Sequence, residues 1–222
     1  MLELFFIILF AVLFLFMIKA FKEDKIERFE MRKRLMEDVE ETPFYSINNG
    51  EIERYKTMFL SEKILSIKVF QINDTFYNLK NKNQYLIDGG VEFNLPKGYL
   101  CFGFSSHFDE IVLNSEPFQK NYTHENEYEL TSNEVPEIYA FINKKIINVN
   151  IKVKEFNEIL DYTMKTQKIK KPIEIILKFE NGEILQLSSI NFDLGENSEP
   201  ENYRYANDEE ILITFKETYI KF

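Results

Sequence analysis

The chain is poor in the residues that build most recognisable sites. It has one cysteine, Cys101, in 222 residues. An internal disulfide is therefore excluded, and so is a zinc site made of paired cysteines. The flanks of Cys101 are Tyr99, Leu100 and Phe102, so it reads as a buried small hydrophobe. Tryptophan is absent, and seven glycines leave little room for a glycine-rich phosphate loop. There are only two histidines, His107 and His124, and neither stands in a metalloprotease-like spacing. Basic residues are outnumbered, giving a formal net charge of -10, which argues against a general nucleic-acid binder. An acidic balance suits a soluble domain that stays off anionic lipid, or one with a basic partner.

What the chain does have is one long apolar run. Leu4 to Ile18 contains no polar side chain. Extended to Met1–Phe21, with Lys19 and Lys22 snorkelling, it reaches about 30 Å, the thickness of one bilayer core. A cleaved signal peptide would carry a basic start and small residues after the run, whereas this one begins Met-Leu-Glu. A helix packed into a soluble domain of this size would be amphipathic, whereas every face of this run is apolar. The run is expected to be an N-terminal transmembrane anchor over residues 1–21. Lys19, Lys22, Lys25, Arg28, Arg32, Lys33 and Arg34 follow it, with no basic side chain before it. The positive-inside rule then places the rest of the chain in the cytoplasm of a single-pass cell-membrane protein.

Residues 22–43 read as a charged juxtamembrane helix, with acid-first pairs Asp24–Arg28 and Glu30–Arg34 four residues apart, closed by Thr42-Pro43. Ile26, Phe29, Met36 and Val39 make a thin apolar stripe broken by Lys33. This favours a solvated spacer over a short coiled coil, although self-association through 22–41 stays open.

From residue 44 the pattern turns to β. Asn48-Asn49-Gly50 reads as a turn, and alternating apolar residues mark strands over 63–72, 75–79, 84–87, 91–95, 98–104 and 110–113. Residues 114–136 are polar and read as a loop, with pairing at 127–130 possible; 138–153 reads as a strand. Phe156, Ile159, Leu160 and Met164 sit at helical spacing and suggest one short amphipathic helix over 155–165. Ile173–Phe179 and Ile184–Ile190 flank Glu180-Asn181-Gly182-Glu183, a hairpin expected to close through a type I′ turn. Residues 192–209 read as an acidic loop and 211–222 as a final strand. The fold class is α+β, mainly antiparallel β, sandwich-like or a partly closed barrel, in one β-rich soluble domain over 44–222. The polar stretch 114–136 could instead divide it into two small subdomains.

No group of residues is assigned a catalytic, cofactor-binding or metal role. His107 with Asp109 and Glu110, completed by His124 and Glu125, is the one arrangement that could hold a metal. Gly103-Phe104-Ser105-Ser106-His107 lacks the second glycine of a nucleophile elbow. Asp193, Glu196, Glu199, Glu201, Asp208, Glu209 and Glu210 are oxygen ligands without the spacing of a calcium loop. Lys168, Lys170 and Lys171 read as a solvated start to a strand. The pattern points to a membrane-anchored, non-enzymatic interaction protein or accessory subunit, presenting a sheet edge or the aromatic strand 98–104 to a protein partner. An immunity-type inhibitor of a basic toxin and a membrane-tethered hydrolase using His107 are the alternatives.

Overall fold

A computed structural model describes residues 45–60, 62–73, 76–123, 126–159, 166–206 and 210–221. Nearly all of them belong to one compact unit, Thr42–Glu158 with Gln167–Phe222. The expected anchor over 1–21 and charged helix over 22–43 lie outside the described residues. Among the described residues, no helix is long and apolar enough to cross a membrane.

The unit is β-rich, with few and mostly short helices. One sheet has the order β6 (Glu110–Asn114), β5 (Gly98–Ser105), β4 (Gly90–Leu95), β1 (Ser66–Gln71), β7 (Tyr128–Leu130), each antiparallel to its neighbour. The other has the order β2 (Tyr77–Leu79), β3 (Gln84–Ile87), β12 (Glu210–Thr214), β10 (Ile184–Leu194), β9 (Thr166–Phe179), β8 (Ile146–Ile159), with β11 (Pro200–Tyr205) joined to the far end of β10. The second sheet thus takes strands from both sides of the polar stretch 114–136. Ile67, Phe93 and Phe102 of the first sheet share one buried cluster with Ile87, Ile175, Leu187 and Ile213 of the second. Each such side chain, fully buried, contributes on the order of 2 kcal/mol. The second sheet is covered on its other face too, where Leu86, Ile190 and Leu212 pack with Ile220 from the segment after β12.

Several local expectations are corrected. Asn48-Asn49-Gly50 is not a turn between strands but the start of helix α1 (Asn49–Phe59). The Asn48 side chain accepts from Glu51 N at 3.0 Å and the Glu51 carboxylate accepts from Asn48 N at 3.0 Å, a complete capping box. Ile52, Tyr55 and Phe59 form the stripe that α1 buries. The stretch 114–136 holds, besides β7, a one-turn helix α2 (Phe118–Asn121). Residues 138–145, expected as strand, are helix α3 (Pro136–Tyr139) and turns, and β8 starts at Ile146.

The amphipathic helix expected over 155–165 is replaced through Ile159 by the continuation of β8; 160–165 lie outside the described residues. The alternation of Val149, Ile151 and Val153 runs on, and Glu155 pairs with Lys168 of the neighbouring strand at 2.8 Å. Cross-strand partners outweigh a marginal helical spacing there.

The 173–190 hairpin forms as expected, with Leu185 opposite Leu177. Its turn differs. Gly182 N–H donates to Phe179 O at 2.9 Å, Phe179 N–H donates to Glu183 O at 2.9 Å, and Gly182 takes φ +84. That is a three-residue loop, a type I turn followed by a glycine bulge, rather than type I′. The acidic loop is largely a second hairpin: β10 runs to Leu194, β11 returns along it, and Arg204 bridges to Asp193 at 2.8 Å. The last strand ends at Thr214.

Candidate functional site

The residues singled out in the sequence that lie among the described ones do not converge. His107 sits exposed on the turn between β5 and β6, its ring against Phe108 at 4.7 Å. Asp109 is exposed at φ +55. Glu110 points the other way, into the protein, where it meets Lys171. His124 and Glu125 lie outside the described residues. Ser105 is buried in β5 with no hydrogen-bond partner for its hydroxyl. A nucleophile shut inside the sheet and an imidazole out in solvent do not make a catalytic pair. Among the described residues, no three His, Cys, Asp or Glu side chains are grouped to hold a metal ion.

Cys101 is buried as expected, and burial pushes its thiol up. The aromatic strand 98–104 has no free edge, because β5 lies between β4 and β6; it buries Leu100, Cys101 and Phe102 and leaves Tyr99 exposed. Lys171 is not part of a solvated strand start. It is 3% exposed, ion-paired with Glu110, and its ammonium lies 5.6 Å from the Phe156 ring centre. Glu110 also accepts from Tyr45 N at 2.8 Å. This pair ties β6 of one sheet to β9 of the other. Buried Ile169, two residues before Lys171 on β9 with exposed Lys170 between them, was the signal for it, since side chains two apart share a face.

A second buried charge was not foreseen. Glu174 is 4% exposed on β9 and accepts from Tyr205 OH at 2.6 Å, Gln186 Nε2 at 2.6 Å and Ser188 Oγ at 3.0 Å. Lys152 Nζ donates to Tyr205 OH at 3.0 Å and lies 4.3 Å from its ring centre. Gln186 in turn exchanges hydrogen bonds with the backbone of Thr218, at 2.7 and 3.0 Å, fastening the segment after β12 across the sheet. A carboxylate with this many donors is satisfied in place; it is a structural hub of the kind that rigidifies a core.

A cleft of about 250 Å³ opens where the turn after α3, the start of β10 and the residues after β12 meet. Phe141 forms part of its floor, stacked on Phe215 at 6.2 Å and 10° and tilted against Phe179 at 4.5 Å. Two carboxylates stand at the rim. Tyr85 OH donates to Glu137, and burial together with that carboxylate raises the phenol. Lys144 Nζ donates to Glu183 and lies 4.9 Å from the Phe141 ring centre. That hydrogen bond, with a smaller one from Asn181, holds the Glu183 carboxyl below its usual value. The cleft is slightly smaller than the roughly 300–1,000 Å³ of drug-sized ligand sites. Its lining combines two aromatic rings, Phe141 and Phe215, with two carboxylates and the Lys144 ammonium.

No family model, curated protein or solved structure matches the chain.

Proposed function

We propose that the chain is a membrane-anchored, non-enzymatic protein-interaction or accessory-subunit protein. A span over 1–21 and a charged helix over 22–43 carry a sandwich-like β domain, 44–222, on the cytoplasmic side. The apolar run Leu4–Ile18 and the seven basic residues that follow it support the anchor and its orientation. The observation that carries the functional reading is how the buried charges are spent. Glu110 with Lys171, Glu174 with Tyr205 and Gln186, and Glu92 with the Phe118 N–H at 2.8 Å each satisfy a partner inside the fold. These are ties between elements, and the exposed His107 turn is remote in burial from Ser105.

The test is topological and biochemical together. Asn197 is exposed in the turn between β10 and β11. With Asn197→Cys in the full chain, a membrane-impermeant maleimide applied to intact cells should label nothing until lysis, and carbonate should leave the chain in the membrane pellet. Removing residues 1–21 should release it. In cells, crosslinking should place the chain in a complex larger than itself. A freely soluble full chain, or labelling of intact cells, would overturn the anchor or its orientation. A chain that never crosslinks to another protein would overturn the interaction reading.

A further inference from the structure

We propose that the cleft floored by Phe141 and Phe215 is the docking point for a basic side chain, an arginine above all, presented by the protein partner; this deepens the interaction reading and rests on it. The structure already contains a stand-in for such a group. The Lys144 ammonium lies over the Phe141 ring and against Glu183, so this face of the cleft accommodates an organic cation with both an aromatic and a carboxylate contact. Glu137 supplies a second carboxylate to the lining; it is exposed, and the Tyr85 phenol donates to it. Two carboxylates against one resident ammonium leave the lining one negative charge in excess, in a chain whose formal net charge is -10. A planar guanidinium suits the place better than an ammonium, because it can lie on the exposed part of Phe215 while forking to a carboxylate.

The competing account is that Lys144 and Glu183 are only a rim salt bridge over a shallow apolar dent, and the two accounts predict opposite effects of removing Lys144. If the cleft accepts a cation, Lys144 competes with the incoming one. Lys144→Met should then free Glu183 and tighten binding several-fold.

The measurement uses the full chain in detergent micelles, titrated with acetyl-arginine methylamide and with its uncharged isostere acetyl-citrulline methylamide. Amide and ring resonances at Ala140, Lys144 and Phe215 report occupancy. The arginine probe should give saturable shifts with a dissociation constant on the order of 1 mM, as suits a single cation–aromatic and carboxylate contact. Citrulline should give none. Glu137→Gln and Glu183→Gln should each weaken the arginine probe several-fold, with the remaining amide spectrum unchanged as proof of folding. Equal response to citrulline, weaker binding in Lys144→Met, or no saturable shift at about 50 mM, far above that constant, would each overturn the proposal. In cells, a crosslinked complex that survives Glu137→Gln/Glu183→Gln would overturn the cleft alone. Absence of any complex with the unaltered chain would overturn the interaction reading, and the titration would still decide the cleft.

Discussion

Gly90 and Gly103 face each other across the β4–β5 ladder, and the ring of Phe118 lies over both. A Cβ on Gly90 would come within 2.8 Å of the Gly103 Cα and 2.9 Å of the Phe118 ring. A Cβ on Gly103 would meet the Gly90 Cα at 2.8 Å. The missing side chains are what let α2 sit down on the sheet and let Phe118 stack on Phe70 at 4.5 Å.

Gly103→Ala should therefore destabilise the domain by about 1–3 kcal/mol, the cost of overpacking a site that cannot give way. Urea unfolding followed by circular dichroism, at unchanged slope, measures it. A change below about 0.5 kcal/mol, the ordinary surface range, would mean that the two strands separate easily at this point.

The Lys171–Glu110 pair, each side chain about one-twentieth exposed, should show the asymmetry of buried charges. Lys171→Met alone strands a carboxylate in the core and should cost about 3–5 kcal/mol. Adding Glu110→Gln should recover part of that loss, so the double variant should be more stable than the sum of the two singles implies. Strict additivity in denaturant unfolding would refute the pairing.

Alkali should unfold the domain in step with its tyrosines. Burial pushes the Tyr203 phenol up to about 12, and Tyr45, Tyr85 and Tyr205 are raised as well. An unfolded tyrosine titrates near 10. The native state thus holds these protons more tightly than the unfolded chain. That contribution is intact below about pH 10 and is lost as pH rises through the folded values. Absorbance of tyrosinate should show an early, exposed group and a late group that ionises together with loss of circular dichroism. A single non-cooperative titration centred near 10 would contradict the burial.

Cys101 should be inert to thiol reagents at pH 8 in the folded chain, since it is 1% exposed and its thiol is raised. Ellman's reagent should react only at the rate of opening, and faster in Gly103→Ala. Immediate stoichiometric reaction without denaturant would place Cys101 outside the core.

The β-rich antiparallel class was legible because period-2 runs such as Lys63–Ile72 and Ile173–Ile190 leave no other way to bury β-branched residues. Helix α1 was also written in the chain. Asn48 and Glu51 have capping-box spacing, and Ile52, Tyr55 and Phe59 follow at helical intervals, but Asn-Asn-Gly reads first as a turn. The 155–159 segment misled in the other direction, because its apolar spacing suits a helix and its ladder partners in β9 are invisible along the sequence. The cleft was not legible at all. Glu137 and Phe141, then Glu183, then Phe215 come from three separate stretches, and the last two meet only when β12 pairs with β10.

That same strand order has a consequence in time. β12 lies between β3 and β10, yet its residues follow theirs by 123 and 16 positions, counted from the end of β3 at Ile87 and of β10 at Leu194 to the start of β12 at Glu210. During synthesis all of the first sheet, complete by Leu130, emerges from the ribosome long before the middle of the second can close. The nascent domain must wait with a gap at its centre, its β3 edge unpaired and open to chaperones or to wrong strands. Mutations that weaken β12 should consequently lower the yield of newly made protein more than they shorten the lifetime of protein already folded.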